Sequence, residues 1–272
     1  MTGAAALPLS PDVVEPLLRG RFGRPYVWRE SCSSTQLLVG GGDPEGAVAL
    51  TEEQTAGRGR LGRIWETPPG RAILFSTVLR PPAGRPAPQI SIAAGLAVAR
   101  VVEAAAAAGA LGVVPEGTAA PAVRLKWPND IMLDGRKTCG ILAEARDGVV
   151  VLGIGLNVNQ VEAEFPPTPH YPPTSLRLAT GREHERAPLL AELLWQLELA
   201  YDAWCAGGLE ALLPELAARD FLAGRDVLVD GRPGRALGIA TSGALAVEVA
   251  GQRRLVESGE VSVAPAPVPA ES

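Results

Sequence analysis

The sequence predicts an α/β (α+β) fold followed by a small β-barrel. Three observations carry this. Apolar, β-branched runs short enough for strands recur up to residue 159, separated by Gly, Pro and Asp-Gly signals. Two long helical stretches, 89–110 and 187–208, are available to cover a sheet. From Arg225 the texture changes to short strands punctuated by glycine.

The elements follow in order. PDVVEPLLRG, 11–20, forms a short lead-in helix interrupted by Pro16, and RPYVWRE, 24–30, is a strand. AVALTEEQ, 47–54, begins as a strand and runs into a Gly/Arg loop. AILFSTVLRP, 72–81, is apolar enough for a buried strand, and a Pro-rich turn follows. The helix at 89–110 is dominated by alanine, with Gly109 where a C-cap belongs. VVPEGTAAP, 113–121, is a loop, and AVRLKW, 122–127, is a strand ended by Pro128. Residues 130–158 give three strands joined by Asp-Gly turns at Asp134-Gly135 and Asp147-Gly148. FPPTPHYPPT, 165–174, is too rich in proline for regular structure. In the helix at 187–208, Leu190, Leu194, Leu197, Tyr201 and Trp204 recur at helical spacing and form a core-facing stripe. A second helical stretch, 209–222, ends near Gly224. The closing strands are numerous and small enough for a compact barrel of SH3-like size, and the tail APAPVPAES is expected to be disordered.

Composition excludes several classes of function. A chain of 272 residues, 47% hydrophobic, builds a real core. A net charge of −5 argues against non-specific nucleic-acid binding by the whole protein. Cys32, Cys139 and Cys205 match no metal spacing, and with only His170 and His184 beside them a zinc site is not expected. Free thiols point to a reducing compartment, the cytoplasm. The N-terminus lacks the basic and apolar regions of a secretory signal, and no apolar run is expected to reach spanning length.

Four constellations carry chemistry. In QTAGRGRLGRIW, 54–65, glycines alternate with Arg58, Arg60 and Arg63, and Trp65 closes the stretch. Such a loop closes over an anion, or is a solvated basic loop or an RGG-like segment; it is neither a Walker A loop nor a Rossmann fingerprint. KWPNDIMLDGRK, 126–137, holds both lysines of a chain whose 25 basic residues are otherwise all arginine. Lysine reaches one oxygen in a tight site where the arginine fork does not fit. Asn129 and Asp130 follow at a strand end; Asp130 is a candidate to hold Mg²⁺ or accept a proton, or the pair is simply a turn. In GIGLNVN, 153–159, Gly153 and Gly155 let something flat pass close to a strand, or mark a tight strand crossing. Ser33, Ser34 and Thr35 bind a polar ring or cap a helix.

Taken in order, GRGRLGRIW, KWPND, KTCGIL and GIGLNVN resemble biotin protein ligase (biotin–[acetyl-CoA-carboxylase] ligase), over about residues 24–263. The resemblance implies a mixed β-sheet flanked by helices, class II tRNA-synthetase-like, followed by a small SH3-like β-barrel domain. It implies a lead-in segment at 1–23, a biotin- and ATP-binding catalytic domain at 24–221, a C-terminal SH3-like domain at 222–264 and a tail at 265–272. The reaction implied joins biotin to ATP, with Mg²⁺, as biotinyl-5′-AMP, then passes biotin to one lysine of a biotin carboxyl carrier protein.

Residue by residue, Lys137 matches the lysine that contacts the biotin carboxylate and α-phosphate. Lys126 matches the lysine placed near the phosphates and the incoming amine. Ser34, Thr35 and Gln54 match ureido-ring positions, with Gly57, Arg58 and Gly140 beside the ligand. Arg58, Arg60, Arg63, Trp65, Asn129 and Asn157 match the adenylate side, and Asp130 the possible metal position. Where the family shows Ser-Thr-Asn this chain has Ser34-Thr35-Gln36, which weakens any role for Gln36. The 33 residues before Ser34 are too few for the DNA-binding domain some members carry, so a monofunctional enzyme without DNA or membrane partners, monomer or homodimer, is expected. The rival readings are a lipoate–protein ligase, a biotin-sensing regulatory protein and an SH3-like scaffold.

Overall fold

The computed structural model describes residues 7–109, 121–146, 148–167, 171–259 and 261–264. Most of the expected loop at 113–121, Asp147 of the second Asp-Gly pair, His170 and the tail from 265 lie outside these residues.

Seven strands form one mixed sheet: β1 (Tyr26–Cys32), β2 (Val48–Gln54), β3 (Ala72–Leu79), β4 (Val123–Lys126), β5 (Asp130–Leu133), β6 (Arg136–Arg146) and β7 (Val149–Asn157). Their order is β1-β2-β3-β7-β6-β5-β4. Only β1 and β2 run parallel; the remaining neighbours are antiparallel. Asp134 and Gly135 both take positive φ, 50° and 77°, as a two-residue type I′ hairpin requires. β1 starts two residues later than the sequence predicts and runs on to Cys32, because the chain is still bending at Arg24 and Pro25.

Helices α1 (Pro11–Val14), α2 (Pro88–Gly109), α3 (Leu176–Thr180), α4 (Arg186–Gly207) and α5 (Leu213–Arg219) accompany the sheet. The lead-in helix is shorter than expected: Pro16 sits in a 3₁₀ turn, and Leu18 is already extended. Likewise the stretch 209–222 divides into a 3₁₀ turn, Leu209–Leu212, and α5, with Pro214 at the start of the true helix. α4 buries the whole expected stripe, Leu190 to Trp204. α2 corrects the membrane reading: it is long and apolar enough to cross a bilayer, yet 78% of that window is buried, as in the core helix of a folded domain.

Strand alternation divides the sheet into two faces. Val150, Leu152, Ile154 and Leu156 of β7 face α2 and α4 in the main core. Val149 and Val151 face the other way, into a small cluster with Ala47, Ala49, Val78 and Val39. Beyond them the same face of β7 carries Gly153, Gly155 and Asn157, so the apolar cover stops and a cleft opens.

A second, five-stranded antiparallel sheet comprises β8 (Asp226–Val229), β9 (Arg232–Ile239), β10 (Leu245–Val249), β11 (Gln252–Val256) and β12 (Val261–Val263), in the order β11-β10-β9-β8-β12. Trp127 Nε1 donates to Gly243 O at 2.9 Å and Gln89 Nε2 to Thr241 O at 3.1 Å, fastening this sheet to the first unit.

Candidate active site

The cleft has a volume of about 710 Å³ and brings together every expected site residue except Gly57. Arg58, Arg60, Arg63, Lys126 and Lys137 share its lining. Gly57 is a glycine for another reason: a Cβ there would sit 2.1 Å from Trp65 O, inside the hairpin that carries the arginines.

That hairpin is built locally. Trp65 N donates to Gly57 O at 3.0 Å and Gly59 N to Arg63 O at 2.7 Å, with Leu61 and Gly62 both at positive φ at its tip. It lies against the exposed floor of the sheet. Gly140 and Gly155 are direct partners across β6 and β7. A Cβ on either would meet the Trp65 ring, at 2.8 and 2.6 Å. The flat group that the glycines admit is therefore the chain's own indole. Arg58 pairs with Glu144 at 3.1 Å, and Arg60 donates to Asn129 Oδ1 at 3.2 Å. Burial lowers the pKa of Arg60, partly offset by Asp130.

One end of the cleft is neutral and polar. Thr35 N donates to Gln54 Oε1 at 2.9 Å, and Thr35 Oγ1 lies 2.8 Å from Ser76 Oγ. Ser34 Oγ is buried without a hydrogen-bond partner among the described residues. So is Oε1 of Gln36, whose Nε2 donates to Leu142 O at 3.1 Å. Buried polar atoms are rarely left unpaired, so both atoms can accept a hydrogen bond from a ligand in the cleft.

The other end is charged. Lys137 Nζ is 2.7 Å from Asp130 Oδ1 and 5.4 Å from the Trp65 ring centroid. Strict alternation from Cys139 and Ile141, which face the core, would bury Lys137 with them. A register shift places Ile131 opposite Cys139 and Met132 opposite Lys137, so Thr138 is an extra residue. This bulge re-aims Lys137 into the cleft. Lys126, 8% exposed at the end of β4, holds its ammonium 5.0 Å from the Tyr171 ring centroid. Asn129 Nδ2 donates to Ile141 O at 2.7 Å. Asn157 is already engaged: Nδ2 donates to Thr174 O at 3.0 Å and Oδ1 accepts from Gln160 at 2.8 Å.

Residues 34–160 match the model of the biotin/lipoate A/B protein ligase family. The biotin–[acetyl-CoA-carboxylase] ligase of Mycobacterium tuberculosis is 35% identical over 272 aligned positions, covering 93% of this chain and 96% of the relative. The chain belongs to the biotin protein ligase family. The bifunctional ligase/repressor BirA of Bacillus spizizenii is 32% identical across 89% of this chain and 75% of its own length. Among solved structures, biotin protein ligase from Aquifex aeolicus in complex with biotin and ATP is similar with a TM-score of 0.74, at 26% identity, covering 88% of this chain and 97% of that one.

Several lining residues of this ligase-family cleft escape sequence reasoning. Gln36 is buried on its floor, although the departure from Ser-Thr-Asn argues against it; no signal short of the fold places its amide over Gly153. Phe165, Pro166, Tyr171, Pro172 and Pro173 line it from the segment set aside as irregular. Its register is nonetheless fixed, since Lys137 N donates to Pro172 O at 2.9 Å and Thr174 N to Lys137 O at 2.8 Å. Gly259, Val261, Ser262 and Val263 bring the second sheet to the rim.

Proposed function

We propose that this chain is a biotin protein ligase that works in two steps in the cytoplasm. A carboxylate oxygen of biotin attacks the α-phosphorus of ATP, pyrophosphate leaves, and biotinyl-5′-AMP is formed. The amine of one lysine of a biotin carboxyl carrier protein then attacks the acyl carbon, and AMP leaves. The observation that carries this reading is a single cleft with an uncharged hydrogen-bonding end and a cationic end. The relatives' names and the biotin and ATP of the A. aeolicus complex agree with it.

Ser34, Thr35 and Gln54 are suited to a neutral urea-like ring, which offers donors and an acceptor but no charge. The acyl chain would run along Gly140 and Trp65 toward Arg58 and Lys137. Lys137 and Lys126 would neutralise charge building on the α-phosphate, so catalysis is positioning plus electrostatics and needs no protein nucleophile. Arg60, Arg63 and Asn129 would hold the nucleotide side, and the hairpin would shield the mixed anhydride from water. Asn157 supports the site by fixing residue 174. Among the described residues no three acidic, His or Cys groups cluster as a metal cage. Asp130 alone fits Mg²⁺ that arrives on ATP, because that ion keeps several waters and phosphate oxygens. We read residues 24–221 as the catalytic domain and 222–264 as an SH3-like domain.

Biotin-dependent exchange of labelled pyrophosphate into ATP tests the assignment. Exchange with biotin well above that with lipoate is expected; equal exchange, or none with biotin, refutes it.

A further inference from the structure

We propose that Tyr171 positions Lys126, and that through it the C-terminal sheet is part of the phosphate end of the cleft. The inference rests on the ligase reading for Lys126 and on geometry for Tyr171. The ammonium of Lys126 lies 5.0 Å from the ring centroid, over the negative face that attracts a cation. The ring is held at two further points. It packs edge-to-face with Phe221, with centroids 5.7 Å apart and planes at 83°. Its hydroxyl accepts the N–H of Val263 at 2.9 Å.

Val263 belongs to β12, opposite Val227 of β8, so the phenol is tied to a strand of the second sheet. The residues just after Tyr171 are fixed to the other lysine, through Pro172 O and Thr174 N on either side of Lys137. One short segment thereby meets the ammonium of Lys126 and the backbone of Lys137, and its Tyr171 hydroxyl is anchored in the C-terminal sheet. A lysine stem has considerable rotamer freedom, and fixing it costs conformational entropy unless packing has already restricted it. The ring supplies that restriction before nucleotide binds, which is pre-organisation of a charge aimed at a developing anion.

The test compares Tyr171→Leu and Tyr171→Phe in the full chain by pyrophosphate exchange, with hydrogen exchange read at the Val263 amide. Loss of the ring face in Y171L lowers kcat by about tenfold or more, while KM for biotin stays within about twofold. Y171F keeps the face, retains at least about half of kcat, and exchanges Val263 faster than wild type. Tyr171→Met, whose unbranched flexible side chain adapts to irregular gaps, replaces the leucine variant if that does not fold. Wild-type kcat in Y171L or Y171M, or a rise in KM for biotin matching the loss in kcat, overturns the positioning role. So does a fall in Y171F as deep as in Y171L. Equal Val263 exchange in wild type and Y171F overturns the link to the second sheet. Absence of biotin-dependent exchange in the wild-type enzyme sinks the ligase reading instead, and is read before any variant.

Discussion

Lys137 shows how much a single backbone irregularity decides. Its ammonium reaches the cleft only because Thr138 is inserted in β6, and there it meets Asp130 at 2.7 Å. No other lysine except Lys126 lines the space, and an arginine fork does not reproduce a point cation beside the Trp65 ring. Lys137→Ala is expected to slow adenylate formation by about a hundredfold or more, as loss of one charge-stabilising group does. Single-turnover release of pyrophosphate measures this, and an unchanged rate refutes the role. The residue stands out as a candidate in the sequence, because it is one of two lysines among many arginines; its orientation does not, because alternation points it the wrong way.

The hairpin that ends in Trp65 is the element whose behaviour the arrangement predicts most directly. Arg58 and Arg60 are held by Glu144 and Asn129. Arg60→Gly removes a forked donor without disturbing the Gly57–Trp65 hydrogen bond, so bound adenylate should dissociate about tenfold faster. Stopped-flow dissociation equal to wild type would count against a closing role. Elements governed by local rules were legible in the sequence. The I′ turn at Asp134-Gly135, the existence of strand β7 and the Leu190-to-Trp204 stripe each follow from a few neighbouring residues. Elements whose placement depends on distant partners were not. Residues 171–174 have no propensity of their own, and their position comes from bonds to Lys137 and Val263. The small strand β12 gives no hint that it reaches the rim of a cleft built from the first half of the chain.

Across the whole molecule, one buried ion pair joins the parts that form the first unit. Arg186 of α4 meets Glu52 of β2 at 2.6 Å, with side chains 2% and 10% exposed. The same guanidinium donates to Ala72 O and Leu7 O, and Glu52 accepts from Leu9 N. Glu52→Ala leaves this arginine buried without its counter-charge and should lower stability by about 3–5 kcal/mol, read from denaturant melts. A second global effect comes from His184, whose pKa is lowered from 6.5 to about 4 by burial, with Arg182 adding to it. The unfolded chain binds this proton near pH 6.5 and the folded chain only near pH 4. The contribution of His184 to stability is therefore fully present above pH 6.5 and is lost as pH falls toward 4. Thermal melts should show a smaller decline over that window in His184→Gln than in wild type, and equal declines would refute the assignment.

The indole on Gly140 and Gly155 belongs to a connecting hairpin and not to the sheet beneath it. The gauge of the channel over those two residues is thus set by a part that can be swapped while the β6–β7 ladder stays intact. Trimming position 65 would widen the passage, and if the acyl chain runs there as proposed, the length or branching of acid admitted would become adjustable at one site.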